Sequence, residues 1–414
     1  MRARWLSPLL RENRVFRSFW TGQTVSLFGD QITLIALPLT AVLVLHAHAA
    51  QMGYLIAAEL APNLLFSLHA GAWIDRRGRR RQAMIAADLG RAALIVTVPL
   101  AYAFDALTIE QLYVVAFLSG TLTVLFFVAN AAFFVAVAPR EDYMEANSLL
   151  YGSRAFSFVA GPSVGGLLVQ LLKAPFALVV DAVSYLVSAA FLGSISPQEP
   201  PTEEAERGHV MQGARYILGT PWIRASLLAT ATINLFNFVF HALFILYAVR
   251  SLHVRPGTLG LVLGAGAVGG LIGSASTGRL GRRIGIGPVF VLGCVVFPAP
   301  LVLVPLAGGP HPLVLAMLFL AEFGSGLGVM ILDISAASIR AALVPDRLRS
   351  RVSGAYMVVN NGIRPIGSLI GGVLGSTIGL RPTLWIAVVG AIAGFLWLLP
   401  SPLPKMRELP EPAE

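Results

Sequence analysis

Gly71-Ala72-Trp73-Ile74-Asp75-Arg76-Arg77-Gly78-Arg79-Arg80 joins two apolar runs, residues 52–73 and 83–102, and its reading decides the fold. Each run matches the roughly 20 residues, rising about 1.5 Å apiece, that a helix needs to cross the hydrocarbon core of a bilayer. The arginines between them resist entering that core, so this link is pinned to one side of a membrane.

The same window finds twelve candidate spans. Six come first, over 20–45, 52–73, 83–102, 112–135, 146–172 and 176–195. Six more follow a polar break, over 223–249, 259–277, 289–306, 313–332, 352–377 and 383–399. Continuous runs of this length exclude the weak alternating pattern of a transmembrane barrel. The composition agrees: 414 residues, 56% hydrophobic and only 12% charged, with a mean hydropathy of +0.75. A soluble domain carries about 25% charged residues, so a water-soluble enzyme is excluded. A single cysteine, Cys294, excludes a disulfide scaffold.

Orientation follows from the basic residues. Lys173, Arg250, Arg255 and Arg381 fall on one set of links, and Arg91, Arg154 and Arg364 lie within spans. The rest of the 30 Lys+Arg occupy the termini and the links after spans 2, 4, 6, 8 and 10, with Arg224 at the edge of span 7. Both termini are therefore expected in the cytoplasm, and the basic clusters read as topology anchors rather than a nucleic-acid surface. The first apolar run is of full span length and has no small-residue cleavage site, so no removable signal peptide is expected. Residues 196–219, with Pro197, Pro200, Pro201 and several glutamates, read as a linker whose part over 211–217 can lie as a short interfacial helix.

The chain repeats itself. Arg279-Leu280-Gly281-Arg282-Arg283 after span 8 matches Arg76-Arg77-Gly78-Arg79-Arg80 after span 2, 203 residues later. Gly367-Ser368-Leu369-Ile370-Gly371-Gly372 in span 11 matches Gly161-Pro162-Ser163-Val164-Gly165-Gly166 in span 5, 206 residues later. Two matches near half the chain length point to duplicated six-span halves, the organisation that lets one half rock against the other around a central site.

The 71–80 segment resembles the loop signature of the major facilitator superfamily, Gly-x-x-x-Asp-Arg-x-Gly-Arg-Arg/Lys between spans 2 and 3. Residues 16–30 (FRSFWTGQTVSLFGD), 142–149 (DYMEANSL) and 344–352 (VPDRLRSRV) resemble the branch holding macrolide-efflux and enterobactin-exporter proteins. The resemblance implies an all-α integral membrane fold of twelve transmembrane helices in two pseudo-symmetric six-helix bundles. The expected division is 1–195 for the first bundle, 196–220 for a cytoplasmic linker, 221–402 for the second bundle and 403–414 for a cytoplasmic tail.

The motif also has a physical reading. Gly71 and Gly78 permit close approach and a tight turn. Asp75 can meet an arginine or the positive end of a helix, which would make the loop a gate latch. In the second copy, Gly278 stands where Asp75 would be, so the latch around Arg279, Gly281 and Arg282 is expected to be weaker. Gly161-Pro162-x-x-Gly165-Gly166 resembles the exporters' span 5 element, in which proline bends the helix and glycines seat it on a neighbour. The match is partial, because Ser157 occupies one upstream glycine position.

A charge inside a bilayer costs roughly 2.5 kcal/mol or more, so each such residue is a candidate for function. Asp30 lies 13 residues past Arg17, about 20 Å into span 1. It is the first candidate for proton coupling or cation recognition, with pairing to a buried arginine as the rival role. Glu322 in span 10 is second. Arg364 and Arg154 can serve as counter-charges or bind an anionic substrate, and Glu59 is a weaker candidate. Asn234, Asn237 and His241 form one polar face of span 7. Asp88 and Arg91, three residues apart on span 3, read as an internal pair, and Asp181 in span 6 as a helix contact.

No nucleotide-binding loop of the Gly-x-x-x-x-Gly-Lys-Ser/Thr type occurs. The expectation is a secondary active transporter, not an enzyme and without a cofactor. It would export a small amphipathic molecule (a drug, siderophore or metabolite) by proton antiport. A proton-coupled importer and a lysophospholipid flippase of the same fold are the alternatives. Its partners would be a small-molecule substrate, protons and membrane lipid, with no nucleic acid, and it would act as a monomer in the inner membrane.

Overall fold

The computed structural model describes residues 7–197 and 210–408. Among these residues the chain is helical, with no strand. The first helices are α1 (Pro8–Glu12), α2 (Arg14–Leu43), α3 (Ala49–Arg77), α4 (Arg80–Ala103), α5 (Ile109–Val137), α6 (Tyr143–Leu172) and α7 (Ala174–Gly193). After the linker come α8 (Val210–Gly219), α9 (Pro221–Arg250), α10 (Pro256–Ile284), α11 (Ile286–Val296), α12 (Leu303–Leu306), α13 (His311–Leu343), α14 (Asp346–Thr377) and α15 (Leu380–Ala393).

Ten helical runs among the described residues are long and apolar enough to cross a membrane. The helices at the expected spans 2 and 11 are not among them, although α3 and α14 are 29 and 32 residues long. Asn360, Asn361 and Arg364 interrupt α14, and α3 includes side chains that lie outside the described residues. The expected span 9 is broken: α11 stops at Val296, a 3₁₀ turn covers Ala299–Val302, and α12 resumes. Pro298 and Pro300 remove the backbone donors that a continuous helix needs there. The expected span 12 likewise ends in a 3₁₀ turn, Gly394–Leu398, after α15.

The chain divides into two compact units. One comprises Met1–His46 and Ala58–Ala205, the other Ala47–Ala57 and Glu206–Glu414. In the first unit Asn13 caps α2, its side-chain oxygen accepting from the Phe16 N–H at 2.9 Å. Phe16, Phe19, Met84, Phe133 and Ile74 are buried together, and Leu9 and Leu10 of α1 join them. The α1 helix is tied to the start of α6, since the Ser7 hydroxyl donates to the Glu145 carboxylate. Helices α2 and α6 cross where glycine permits it. A Cβ at Gly161 would strike the Gln31 side chain, and one at Gly165 would lie 3.2 Å from the Ile32 Cα.

The second unit repeats that crossing between α9 and α14. A Cβ at Gly367 would lie 3.2 Å from the Phe238 Cβ, and one at Gly371 would lie 2.7 Å from the Val239 carbonyl oxygen. The opening turns of α3 belong to this unit. There Gly53 abuts Gly372, and the Ala50 N–H donates to Ser376 Oγ at 2.9 Å. Helix α8, where the sequence predicted a short interfacial helix, packs on α14. Gly213 sits against the Arg351 backbone, and Ile217, Ile223, Val344, Val352 and Tyr356 form a shared apolar cluster. The amino end of α11 is closed by residues near the end of the described chain. Arg407 O accepts from the Ile286 N–H at 3.3 Å and Met406 O from the Gly287 N–H at 2.9 Å.

Candidate transport site

Asp30 lies in the middle of the 30-residue α2, with its side chain 35% exposed. The Tyr185 hydroxyl of α7 donates to Asp30 Oδ1 at 2.6 Å. Arg91 Nη1 of α4 stands 3.7 Å from the same oxygen. The buried arginine considered as the rival partner of Asp30 is thus Arg91.

Arg91 is almost wholly buried, at 1% exposure. It donates to Asp88 one turn earlier on α4, the pair expected from their spacing. Its guanidinium is sandwiched over two rings, 4.6 Å from the Phe126 centroid and 4.1 Å from that of Tyr185. Aromatic faces attract a cation and shield it from lipid, so the position suits arginine better than lysine.

Asp181 completes the group. It is fully buried on α7, where Thr33 Oγ1 donates to Oδ2 at 2.5 Å and Ser184 Oγ to Oδ1 at 3.0 Å. Gly29 makes this possible, because a Cβ there would collide with Ser184 Oγ and Asp181 Oδ1. Sequence reasoning treated Asp181 as an isolated helix contact and did not connect Arg91 and Tyr185 with Asp30. The available signal was the number of charges, Asp30, Asp88, Arg91 and Asp181, on three expected spans of one half.

The second unit holds a different arrangement. Asn234 Nδ2 donates to Asn360 Oδ1 at 3.0 Å, and Arg364 Nε donates to Asn234 Oδ1 at 3.2 Å. One turn away, Tyr356 and Thr230 share a hydroxyl contact of 2.7 Å. The Asn237 Nδ2 is buried without a hydrogen-bond partner. The His241 ring packs near Phe238 and Phe240 at centroid separations of 5.7 and 6.2 Å, and the Arg364 guanidinium lies 5.3 Å from the Phe238 ring. Asn234 and Arg364 are thus brought together, and His241 shares the Phe238 ring with Arg364.

Glu322 stands apart on α13, 9% exposed, with Oε1 unpartnered. It faces α10, where a Cβ at Gly266 would lie 3.4 Å from Oε2. Glu59 is half-buried on α3, and Arg154 is exposed on α6. The structure does not bring Arg154 to any of the acids it was expected to balance. In the 71–80 segment Gly78 adopts φ 60°, a left-handed turn that favours glycine. A Cβ on Gly71 would meet no atom within 4 Å, so close approach does not explain that glycine. Arg76 and Arg79 are exposed and Arg80 is buried, whereas the Asp75 side chain lies outside the described residues. Arg279 and Arg282 are exposed on α10, with Gly281 half-buried between them. Gly161, Pro162, Gly165 and Gly166 are buried on α6, with Gly161 and Gly165 facing α2.

The sequence profile of the Major Facilitator Superfamily matches residues 19–361 and again 227–414. The multidrug efflux pump Tap of Mycolicibacterium fortuitum is 26% identical over 398 residues, covering 92% of this chain and 93% of Tap. An MFS-type transporter of Bacillus subtilis, YfiS, is 25% identical over 388 residues, covering 90% and 89% of the two chains. Among solved structures, a bacterial homologue of the iron transporter ferroportin in its inward-facing state superposes with a TM-score of 0.73 at 17% identity. That match covers 95% of this chain and 99% of the homologue. The nucleoside transporter NupG matches with a TM-score of 0.70 at 13% identity, covering 93% and 99%. Matched by the family profile along its length and built of helices of spanning length, the chain belongs to the major facilitator superfamily and is a membrane transporter rather than an enzyme.

Proposed function

We propose that this transporter exports small amphipathic molecules in exchange for protons, by alternating access between its two repeats. It would do so from the inner membrane, as a monomer with both termini in the cytoplasm. The observation that carries the reading is Asp30: a carboxylate at mid-helix, partly open to solvent, yet held by Tyr185 and close to Arg91. A carboxyl so placed, between a donating hydroxyl and a guanidinium, is the group proposed to bind the proton or a cationic cargo. The curated relatives named as multidrug efflux pumps support the direction of transport. Glu322, buried with an unpartnered oxygen, is the second carboxyl proposed to change protonation or meet a cationic substrate. Asn234, Asn237 and Arg364 would supply polar contacts for the cargo. The loop at Asp75 and the arginines around it are proposed as the gate latch, with its weaker counterpart around Arg279 and Arg282.

The test uses everted vesicles loaded by an acid interior, with ethidium as the reporter. The wild-type chain is expected to concentrate the dye, and an uncoupler is expected to abolish accumulation. Asp30→Asn should insert normally and lose the pH-driven component. Accumulation by Asp30→Asn that matches wild type and still responds to the proton gradient would remove Asp30 from the coupling step.

A further inference from the structure

We propose that Asp181 stores the transported proton: the triangle of α2, α4 and α7 is a proton reservoir in which Asp181 holds the acid form and Asp30 is its gate to water. The proposal deepens the antiport reading and rests on it for the role of the stored proton.

Charge counting comes first. Three carboxyls, Asp30, Asp88 and Asp181, share one guanidinium, that of Arg91. Fully ionised, the group would carry two uncompensated negative charges in a place where unpaired ions are strongly disfavoured. Asp88 takes the arginine. Asp30 has the second guanidinium nitrogen at 3.7 Å and partial exposure. Asp181 has neither, because among the described residues it forms no ion pair, it is fully buried, and hydroxyls are its partners. A hydroxyl can accept as well as donate, so the same Thr33 contact serves a protonated carboxyl. The other packed elements bring no further charge to it: α5 contributes Thr123 and Phe126 to the arginine, and α6 meets α2 at Gln31 and Ile32. Tyr185 is the remaining titratable neighbour, and its hydroxyl is committed to Asp30.

The second repeat shows that the fold does not need these charges. The matching glycine contacts equate Gln31 with Phe238 and Ile32 with Val239, which places Asn237 opposite Asp30. Counting from the first residues of α7 and α15 equates Asp181 with Ala387 and Tyr185 with Ala391. The spacing between Arg76 and Arg279 carries Asp88 onto Val291 and Arg91 onto Cys294. The corresponding positions of the second repeat therefore hold uncharged side chains, Cys294 among them lying in an apolar cluster with Ala229, Ile233 and Phe290. Charges that the architecture can dispense with are retained for something other than packing.

The proton would move along a short route. Water reaches Asp30. When Asp30 is protonated its attraction for Arg91 weakens, and the guanidinium is freed to turn fully to Asp88. The proton passes between Asp30 and Asp181 by way of the Ser184 hydroxyl, which lies against Gly29, with no bond other than O–H made or broken.

Infrared spectroscopy of the full chain in liposomes tests this directly, reading the C=O stretch of protonated carboxyls across a pH titration. The wild type is expected to show such a band at neutral pH, which Asp181→Asn removes and Asp30→Asn leaves in place. Thr33→Val, nearly isosteric, should shift the band without deleting it, which keeps the assignment testable if Asp181→Asn fails to fold. A neutral-pH band indifferent to both Asp181→Asn and Thr33→Val overturns the proposal. In parallel, ethidium efflux driven by a proton gradient should fall to background in Asp181→Asn. Efflux by that variant equal to wild type overturns the transport role. Wild-type efflux indifferent to the gradient, with the band present, would instead sink the antiport reading and leave the stored proton standing.

Discussion

The two units solve the same packing problem with opposite chemistry. In the first, α2, α4 and α7 meet around Arg91, Asp30, Asp88 and Asp181. In the second, α9 and α11 meet around Ala229, Ile233, Phe290 and Cys294, and α15 packs on α9 where Gly390 faces Phe236. Even the crossing glycine changes sides. In the first unit Gly29 on α2 makes room for Ser184 and Asp181, whereas in the second Gly390 on α15 makes room for Phe236, whose ring a Cβ would approach to 2.5 Å. Replacing a buried ion group by well-packed apolar residues is often neutral or stabilising by about 1–4 kcal/mol, whereas removing one member of such a group costs about 3–5 kcal/mol. Stability alone would thus favour the second unit's solution in both places.

The largest effect should come from breaking the charged junction at its single cation. Arg91→Met leaves three carboxyls without a counter-ion, and the melting temperature in detergent should fall steeply at neutral pH, with partial recovery as acid neutralises them. Combining it with Asp30→Asn, Asp88→Asn and Asp181→Asn should restore most of that loss while leaving pH-driven efflux dead. A quadruple variant no more stable than Arg91→Met would mean that the junction is held by geometry rather than charge. Next in size is Gly29→Ala. Overpacking of this kind costs about 1–3 kcal/mol, and the added methyl collides with both Ser184 and Asp181. Thermal unfolding should register it, and Gly390→Ala should cost a similar amount through the Phe236 ring. The smallest of the three is Asn234→Ala, which removes neutral bonds to Asn360 and Thr230 and one from Arg364. For these part-buried groups the expected net loss is about 1 kcal/mol. A drop in thermal stability as large as that of Arg91→Met would erase the contrast between the units.

The sequence disclosed the first unit's ingredients without their assembly. Asp88 and Arg91 were legible as a pair because three residues place two side chains on one helical face. The repeated arginine loops and the Gly-x-x-x-Gly spacings at 161–165 and 367–371 disclosed the duplication. Asp181 was not legible as a partner of Asp30. They lie far apart in the chain, and only the α2–α7 crossing at Gly29 brings them to a common site. Helix lengths were harder to read than helix positions. The span expected at 289–306 is interrupted where prolines cluster, and α14 carries Asn360, Asn361 and Arg364 in its middle. Glu322 was legible as a candidate from its depth alone, but its bare oxygen is a property of the small-residue face of α10 against which it packs.

The closure of α11 carries a consequence for biogenesis. Its first N–H groups are satisfied by the carbonyls of Arg407 and Met406, residues that leave the ribosome long after α11 itself. Until they arrive, that helix end has no protein acceptor for these two donors. The second unit therefore reaches its finished hydrogen-bond complement only once translation has passed residue 407. A nascent chain stalled before that point should be a preferred substrate for membrane quality-control proteases.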